Sequence, residues 1–328
     1  MKICFIDKTE FSYSFKDINN EILRGAETIV INLSQALCKL GHQIVVFNNC
    51  KEEYISNNYS WLNLEKIKNY NYKFDIVISN NNTQLLDLIY CKKKFVISHS
   101  LQNIEKYIRK NQFISYLKNR PIYLLLGKYH KSNMSKFFSL FGTRIIKYGI
   151  DSSFENVLLN NNINHNLSIF TSRQDRNLEI LINVWINKVF KKKKDANLYI
   201  TPKKENLTRY NIFNRKLSGR KKYIDDIVKS RLMLIPGHKA ELYCLAASEA
   251  SELCVPIITM GIGALSERVI HGETGLISKN EDDFGKHIIE LYNNSTLWNQ
   301  IRQNLIKKRG QNSWDKASKF FLETILKN

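Results

Sequence analysis

The sequence predicts an α/β protein of two doubly wound domains that face each other across a cleft. Three observations support this fold class. Short apolar runs typical of strands alternate with helical runs in the first half of the chain, and a second such series begins after residue 152. The chain has 328 residues, of which 43% are hydrophobic, and this is enough to fill two cores of ordinary size.

The first series of elements begins at the N-terminus. Strands are predicted at residues 2–7, 43–48, 75–79 and 95–98, and a helix at residues 25–40. Helical runs or polar loops separate these strands, as the crossover connections of a parallel sheet require. We therefore predict a first domain over residues 1–152.

The second series follows Asp151. Strands are predicted at residues 168–171, 197–201 and 232–236, and helices at residues 178–189, 224–229, 284–293 and 298–308. These elements predict a second domain over residues 153–312, with a helix in the remaining residues 313–328. Doubly wound sheets bind ligands at the carboxyl ends of their strands, so the predicted cleft is where we expect the site.

Residues 241–276 carry the strongest functional pattern. Glu241 lies just before a helical run at residues 242–248, and Glu249 follows Glu241 by eight positions. The free amides at the start of such a helix face an anion, while its apolar side packs into a core. A short buried strand at residues 255–259 comes next, and it is followed by Gly261 and Gly263, by Leu265-Ser266-Glu267 and by His271-Gly272 with Gly275. The pattern predicts a site for a sugar phosphate.

This order of residues resembles the donor-binding signature of the GT-B glycosyltransferases, in particular the large retaining family called GT4, and the resemblance covers most of the chain. It implies two Rossmann-like domains, the first on the acceptor side and the second binding a nucleotide sugar, with residues 313–328 crossing back onto the first. The implied reaction moves a sugar from a nucleotide diphosphate sugar to a hydroxyl of a polysaccharide, lipid-linked glycan or other glycoconjugate. It proceeds with retention of configuration, without a metal and without a cofactor besides the donor.

The resemblance also implies roles for individual residues. Glu249 accepts the ribose hydroxyls, Glu241 contacts the transferred sugar, and Arg173 and Arg176 bind the diphosphate and stabilise the departing nucleotide. His99, at a strand end, binds a sugar hydroxyl or orients the attacking group. The remaining donor-binding candidates are Gly25, Leu242, Tyr243, Cys244 and Leu245, and further candidates are Arg24, His238 and Lys239.

Each of these residues also has a purely structural interpretation. Glu241 fits a helix cap and Glu249 a paired helix carboxylate, while Arg173 and Arg176 fit surface salt bridges. Gly25 fits a simple cap before a helix, and Arg24 stands where the family has a glycine. The two Asp-Asp pairs, at residues 225–226 and 282–283, lie in helical contexts and do not imitate the Asp-x-Asp loop of metal-dependent transferases.

Charge and cysteine usage narrow the choice of partners. The six cysteines have no close pair and are expected to be buried hydrophobes, and the apolar runs are shorter than the roughly 20 residues of a membrane span. We therefore expect a cytoplasmic protein. The net charge is +20, with 13 basic and 2 acidic residues at 92–152 and 15 against 5 at 153–222. This bias has two interpretations. It indicates phosphate-bearing partners, namely the donor and an anionic inner-membrane surface contacted through residues 92–152, or it reflects biased base composition in the coding DNA.

Three alternatives remain open at this point. The aromatic residues interleaved with the basic ones between residues 106 and 147 form either an interfacial membrane face or an ordinary core, and we favour the core for most of them. A GT-B nucleotide-sugar epimerase would keep the fold and release a free sugar. A basic nucleic-acid-binding protein or DNA-base glucosyltransferase fits the charge, but the chain has no recognition-helix or RNP-like signature, so nucleic acid is a disfavoured partner.

Overall fold

A computed structural model describes residues 1–18, 23, 25–70, 73–159, 162–216 and 219–327. The chain forms two compact units, one of Met1–Gly149 with Trp314–Asn328 and the other of Ile150–Ser313. Each unit is a mainly parallel sheet with helices, so the α/β fold class is confirmed. The divisions fall after Gly149 and Ser313, a few residues from the positions 152 and 312 predicted from the sequence.

The first unit contains an eight-stranded sheet, within the described residues, in the order β3-β4-β2-β1-β5-β6-β7-β8. All neighbours are parallel except β3 and β4. The strands are β1 (Lys2–Ile6), β2 (Gln43–Asn48), β3 (Tyr54–Ile55), β4 (Tyr59–Asn63), β5 (Ile76–Asn80), β6 (Lys93–Ile97), β7 (Ile122–Leu125) and β8 (Thr143–Ile145). β1 and β5 are buried along nearly their whole length, as central parallel strands covered on both faces must be.

The helices of the first unit connect these strands. They are α1 (Gly25–Lys39), α2 (Ile104–Arg109), α3 (Phe113–Asn119), α4 (Lys128–Asn133) and, from the end of the chain, α12 (Trp314–Leu326), with 3-10 turns at Phe15–Asp17, Leu64–Asn69, Thr83–Leu88 and Lys136–Ser139. The C-terminal helix α12 packs against α1 and β8. Arg144 on β8 donates to the Thr324 carbonyl, and the Lys147 ammonium lies 4.7 Å from the Phe320 ring centroid.

The second unit contains a six-stranded parallel sheet, among the residues that are described, in the order β11-β10-β9-β12-β13-β14. Its strands are β9 (Asn164–Ile169), β10 (Asn197–Ile200), β11 (Ile212–Asn214), β12 (Ser230–Gly237), β13 (Ile257–Ile262) and β14 (Gly275–Ile277). Leu232 and Leu234 lie in one apolar cluster, whereas Met233 and Ile235 lie in another. Because successive strand residues point to opposite faces, both faces of this sheet are buried.

The helices of the second unit are α5 (Ser152–Glu155), α6 (Leu178–Val184), α7 (Phe190–Lys192), α8 (Arg220–Val228), α9 (Leu245–Glu252), α10 (Glu281–Asn293) and α11 (Ser295–Lys308). A π-helical turn, Trp185–Val189, joins α6 to α7, and 3-10 turns lie at Thr208–Tyr210 and Gly263–Glu267. The predicted helix at residues 178–189 is therefore interrupted.

The helix predicted at residues 242–248 begins later than expected. α9 starts at Leu245, because Cys244 has a left-handed backbone with φ of 64° and the three residues before it are not helical. The strand predicted at residues 255–259 is likewise displaced to Ile257–Ile262. The apolar periodicity of residues 242–248 indicated the helix correctly but not its first turn, since Leu242, Tyr243 and Cys244 are buried without being helical.

Candidate functional site

The candidate site in the second unit lies at the carboxyl ends of two neighbouring strands. β9 and β12 are adjacent and parallel, so the loops that follow them emerge side by side. The loop after β9 carries Arg173 and Arg176, and the turn after β12 carries His238 and Glu241. Asn177 joins the two loops, because its side-chain amide donates to the Gly237 carbonyl at 2.5 Å.

Arg176 is the centre of this cluster. Its side chain is only 17% exposed, and its Nε lies 3.6 Å from Oε2 of Glu241, as an ion pair. One Nη1 contact reaches His238 Nδ1 at 3.4 Å and another reaches Asp175 Oδ2 at 3.2 Å. Two predicted site residues, Arg176 and Glu241, are thus brought together although 65 positions separate them in the sequence.

The ring of His238 has a defined orientation in the cluster. Its Nδ1 faces the backbone N–H of Ala240 at 3.1 Å and the guanidinium of Arg176 at 3.4 Å. Because both neighbours are donors, Nδ1 is the acceptor nitrogen, and a neutral ring carries its proton on Nε2. The Nε2–H is therefore the hydrogen-bond donor of this ring. The neighbouring Lys239 is exposed.

Arg173 reaches the cluster through Asp175. Its Nε and Nη2 lie 3.0 and 2.5 Å from the two Asp175 oxygens, in a bidentate pair. The hydrogen bond from Arg173 and the charges of both arginines lower the pKa of Asp175. Arg173 is 70% exposed, so this pair contributes little to stability. Two guanidinium groups thus converge on one carboxylate, an arrangement that suits a bound anion.

Glu241 is held at both carboxylate oxygens. Oε2 faces Arg176, while Oε1 accepts from the backbone N–H of Cys244 at 3.2 Å. Glu241 lies four residues before α9 and bonds the amide of Cys244 rather than an amide of the helix, so the helix cap considered for it is not formed. Burial raises the pKa of the Glu241 carboxyl, although the charge of Arg176 and the Cys244 amide act in the opposite direction.

Gly263 allows the next loop to close over this turn. A Cβ at Gly263 would lie 2.4 Å from the carbonyl oxygen of His238 and 2.8 Å from that of Glu241, and its φ is 75°. The neighbouring Ala264 N–H donates to the Glu241 carbonyl at 2.8 Å. The close backbone approach expected from this glycine is therefore made to the protein's own turn, which it holds in place.

Glu249 lies on α9, one to two turns beyond its start, and is partly buried. Its Oε2 accepts from the Tyr223 hydroxyl at 2.7 Å, and the same hydroxyl lies 3.3 Å from Oγ1 of Thr171. Burial raises the pKa of the Glu249 carboxyl, the Tyr223 hydrogen bond opposes this, and the charge of Arg220 opposes it as well. Sequence reasoning did not identify this partner, because Tyr223 is 26 positions away on α8.

The donor-binding candidates between the two glutamates are mostly buried. Leu242, Tyr243 and Cys244 are 4%, 7% and 2% exposed, and Leu245 is half-buried at the start of α9. The guanidinium of Arg268 lies 4.2 Å from the centroid of the Tyr243 ring. Burial raises the pKa of the Cys244 thiol, so this cysteine is an inert core residue.

In the first unit, His99 lies just beyond β6 as predicted. Its Nε2 is 2.7 Å from Oδ1 of Asn80 and its Nδ1 is 3.4 Å from the Tyr148 hydroxyl. Nε2–H therefore donates to Asn80, and Nδ1 accepts from Tyr148. Burial lowers the pKa of His99 to about 3, so the ring is neutral at physiological pH. Gly25 begins α1, whereas Arg24 lies outside the described residues.

A polar cavity that sequence reasoning missed lies beside Asn80. It has a volume of about 250 Å³ and is lined by Asp7, Glu27, Asn80, Asn81, Asn82 and neighbouring residues. Asp7 directly follows β1 and is 3% exposed, and it accepts from the Tyr13 hydroxyl at 2.5 Å. Burial raises the pKa of Asp7 to about 6. The sequence signal was available, since Asp7 and Asn80 end apolar strand runs at adjacent positions of the sheet.

Four aromatic residues of the basic region are core residues. Tyr107, Tyr116, Tyr123 and Phe138 are each at most 2% exposed and belong to one apolar cluster. The interpretation as ordinary core is confirmed for these four. None of the helices in the described ranges has the length and apolar character needed to cross a bilayer.

Residues 204–309, all in the second unit, match the family model of the glycosyl transferases group 1. No curated protein matches the chain in sequence. Sucrose-phosphate synthase from Thermosynechococcus elongatus superposes with a TM-score of 0.70 at 13% identity, over 98% of this chain and 97% of that one. HepE from Anabaena, solved in complex with UDP, superposes with a TM-score of 0.70 at 15% identity, over 99% of both chains.

WaaG, a glycosyltransferase involved in lipopolysaccharide biosynthesis, superposes with a TM-score of 0.69 at 11% identity, over 99% of this chain and 100% of that one. These are GT-B glycosyltransferase structures, so the GT-B fold is confirmed across the whole chain and the resemblance to glycosyl transferases group 1 is confirmed over residues 204–309. The alternatives of an epimerase and of a nucleic-acid-binding protein receive no support from these matches.

Proposed function

We propose that the protein is a glycosyltransferase that moves a sugar from a nucleotide diphosphate sugar to a hydroxyl group of a glycan or lipid-linked acceptor. One observation carries the proposal. The guanidinium of Arg176 pairs with Glu241, which lies four residues before the helix that carries Glu249, and both glutamates lie within the segment that matches glycosyl transferases group 1. A cation for a diphosphate and two carboxylates for hydroxyl groups are the chemistry that a sugar nucleotide requires.

The donor diphosphate binds at Arg176 and Arg173 in this proposal. Both guanidinium groups now share the Asp175 carboxylate, and a diphosphate offers charged oxygen pairs that accept the same bidentate hydrogen bonds from a guanidinium. As the bond between sugar and phosphate breaks, negative charge grows on the leaving diphosphate, and a guanidinium already in position stabilises it. The charge is thus neutralised by arginines, and we propose that no metal ion is needed.

The nucleoside and the sugar bind on either side of the diphosphate. Glu249, held by Tyr223, accepts hydrogen bonds from the two ribose hydroxyls in this proposal, and partial burial of its carboxyl, which raises its pKa, limits competition from water. Glu241 and the Nε2–H of His238 contact the sugar, with Lys239 as an exposed cation beside them. HepE is known in complex with UDP-glucose, so a uridine nucleotide is the first donor to test.

We propose that the acceptor binds in the first unit, at the cavity lined by Asp7, Glu27 and Asn80. Carboxylate and amide groups bind the hydroxyls of a sugar, and neutral His99, whose ring nitrogens are engaged by Asn80 and Tyr148, orients the Asn80 side chain. Gly25 at the start of α1 permits close approach of the ligand to the backbone at this end of the unit.

We further propose that the reaction retains the anomeric configuration. Both oxygens of Glu241 are already engaged, by Arg176 and by the Cys244 amide, so this carboxylate is not poised as a nucleophile. Instead the acceptor oxygen attacks from the side of the departing diphosphate. The bond from acceptor oxygen to sugar carbon forms, the bond from that carbon to phosphate oxygen breaks, and the acceptor proton passes to the phosphate oxygen.

Donor binding and product analysis test the proposal. A thermal-shift screen against UDP, GDP, ADP and CMP sugars identifies the donor, because a ligand that binds only the folded state raises its stability. Mass spectrometry and NMR of the products then distinguish a glycoside of retained configuration from free sugar.

Assays of sugar transfer test the absence of a metal and the role of Arg176. Transfer should continue in the presence of EDTA. It should fall by at least tenfold in Arg176→Gln but not in Lys286→Gln, which changes an exposed cation of the same unit. The absence of any stabilising sugar nucleotide would refute the proposal.

A further inference from the structure

Arg215 and Asp226 form a buried ion pair in the second unit. Arg215 directly follows β11 and is 6% exposed, while Asp226 lies on α8 and is 8% exposed. The Nε and Nη2 atoms of Arg215 lie 3.3 and 3.2 Å from Oδ2 of Asp226, and the Lys222 ammonium donates to Oδ1. Because the guanidinium and the carboxylate are both shielded from water, neither is presented to a ligand as a direct contact.

The guanidinium of Arg215 also contacts the ring of Tyr223. Its Cζ atom lies 5.3 Å from the ring centroid, within the distance of about 6 Å over which a cation is attracted to an aromatic ring. Tyr223 and Asp226 are three positions apart on α8, so they lie on the same side of this helix. Arg215 therefore contacts α8 at two points about one turn apart, and two such contacts fix the rotation of the helix about its own axis.

The backbone of Arg215 is fixed as well. Its N–H donates to the Ile200 carbonyl at 2.8 Å, so the chain at Arg215 is still hydrogen-bonded to the end of β10. The guanidinium thus extends from the edge of the sheet to the helix that carries Tyr223. This arrangement connects the position of the Tyr223 ring to the sheet.

Tyr223 passes this arrangement on to Glu249. Its hydroxyl donates to Oε2 of Glu249 at 2.7 Å, and the Phe154 ring meets the Tyr223 ring edge-on, with centroids 6.2 Å apart. Burial raises the pKa of the Tyr223 hydroxyl, whereas the positive charge of Arg215 acts in the opposite direction. A positive charge near a phenol strengthens the hydrogen bond that its O–H donates. Arg215 therefore affects both the place and the strength of the hydrogen bond to Glu249.

Stability alone is a weak explanation for this ion pair. Taking two charges out of water is costly, and replacing a buried ion pair by apolar side chains of similar volume is often neutral or stabilising. The pair is better explained by the conformation that it fixes. That conformation is the placement of Tyr223, whose hydroxyl joins α8 to Glu249 on α9.

We propose that Arg215, held by Asp226, is a positioning residue that sets the Tyr223 hydroxyl and, through it, the Glu249 carboxylate for the ribose of the donor. This inference rests on the proposed function, in which Glu249 binds the ribose hydroxyls. Arg215 then acts on the affinity for the nucleotide, whereas Arg173 and Arg176 act on the leaving diphosphate. Loss of Arg215 should raise the donor KM more than it lowers kcat.

Binding of a nucleotide and its 2′-deoxy form tests this role in the full chain. The probe is whichever of UDP, GDP, ADP and CDP binds the native protein most tightly, and the native protein should bind its 2′-deoxy form about tenfold more weakly. In Arg215→Met this ratio should fall to about threefold or less. The combined variant Arg215→Met and Asp226→Leu should behave in the same way, and it leaves no charge buried without its partner if the single variant is poorly folded.

Two further variants separate positioning from general loss of stability. Arg231 is 2% exposed, its guanidinium lies 4.8 Å from the Trp298 ring centroid, and it lies at the amino end of β12, away from the site. Arg231→Met therefore removes a similar buried cation and should keep the tenfold ratio. In a Tyr223→Phe background, Arg215→Met should cause no further change in the ratio, because the hydroxyl through which it acts is already absent.

The pKa of Glu249 in the free protein gives a measurement that needs no ligand. It should rise in Arg215→Met, because a weaker hydrogen bond from Tyr223 lowers it less, and ¹³C NMR of the labelled carboxyl follows it, with Glu249→Gln to assign the signal. A native ratio in Arg215→Met, an equal loss in Arg231→Met or additive effects of Arg215→Met and Tyr223→Phe would overturn the inference. If no nucleoside diphosphate binds the native protein, the proposed function fails. In that case an unchanged pKa of Glu249 in Arg215→Met overturns this inference too, and a raised pKa supports the link from Arg215 to Glu249.

Discussion

Replacement of Glu249 tests the donor site most directly. In the proposal this carboxylate accepts hydrogen bonds from both ribose hydroxyls, and it has enough acceptor positions for them. The Tyr223 hydroxyl takes one acceptor position on Oε2, whereas a carboxylate has about four such positions. A hydrogen bond to a charged group contributes about 1.5–3 kcal/mol, so loss of two such bonds costs about 3 kcal/mol or more. Glu249→Ala should therefore weaken nucleotide binding about 100-fold.

The fold should survive this change. Tyr223 keeps a second partner, Thr171, when the carboxylate is removed, so its hydroxyl is not left alone in the interior. The substitution also removes a carboxylate whose burial raises its pKa and is therefore unfavourable to the charged form. Glu249→Gln keeps an acceptor for Tyr223 and loses only the charge, and it should cost about tenfold in affinity, since neutral hydrogen bonds are about half as strong.

Calorimetric titration with the nucleoside diphosphate found in the donor screen measures these effects, and Glu290→Gln, an exposed glutamate of the same unit, serves as control. The 2′-deoxy and 3′-deoxy forms of that nucleotide complete a double-mutant cycle. The native protein should bind each deoxy form about tenfold more weakly, whereas Glu249→Ala should not distinguish the three ligands. Equal discrimination in both proteins, or native affinity in Glu249→Ala, would refute the assignment of Glu249 to the ribose.

Three further predictions concern Tyr223, Gly263 and Asp7. Tyr223→Phe removes a hydrogen bond that lowers the pKa of Glu249, so the acid limb of the pH profile of nucleotide binding should move to higher pH, and an unchanged limb would contradict this. Gly263→Ala should destabilise the protein by about 1–3 kcal/mol more than Gly272→Ala in denaturant titrations. Both glycines have positive φ, but only at Gly263 would an added Cβ meet backbone atoms. Equal losses of stability in the two variants would contradict the predicted clash. For Asp7, burial raises the pKa from 3.8 to about 6, so the folded state holds a proton that the unfolded state has lost, and its stability falls as pH rises between these values. Asp7→Asn should therefore gain up to about 3 kcal/mol relative to the native protein from pH 4 to pH 7, and parallel pH curves for the two proteins would contradict this.

The fold class was predictable because it depends on local patterns. Apolar runs such as Lys2–Ile6 and Gln43–Asn48 alternate with an amphipathic helix at Gly25–Lys39, and this alternation alone indicates parallel sheets with crossover helices. Short edge strands such as Thr143–Ile145 and Ile212–Asn214 were not predicted, since three residues carry too little periodicity to be recognised. Helix starts were predicted less well than helix existence, as the late start of α9 at Leu245 shows.

The candidate site was predictable only in its residue types. The spacing of Glu241 and Glu249 around a helix start, and the arginines after a strand, were visible in the sequence. The partner of Glu249 was not visible, because Tyr223 comes from a different helix, and the cavity with Asp7 and Asn80 was missed because each residue alone is only a polar residue after a strand. The sequence did not show which aromatic residues near residue 110 are buried, because their burial depends on the helices that pack beside them.

The sequence by itself determined the alternation of elements, the basic charge of residues 92–222 and the carboxylates and guanidinium groups available for chemistry. Only the tertiary structure decided that Arg176 meets Glu241 and that Tyr223 holds Glu249. The physical reason is that helix and strand periodicity is a property of near neighbours along the chain. Contacts between loops depend instead on the order of strands in the sheet. The pairing of β12 with β9 results from packing between residues that are far apart in the sequence.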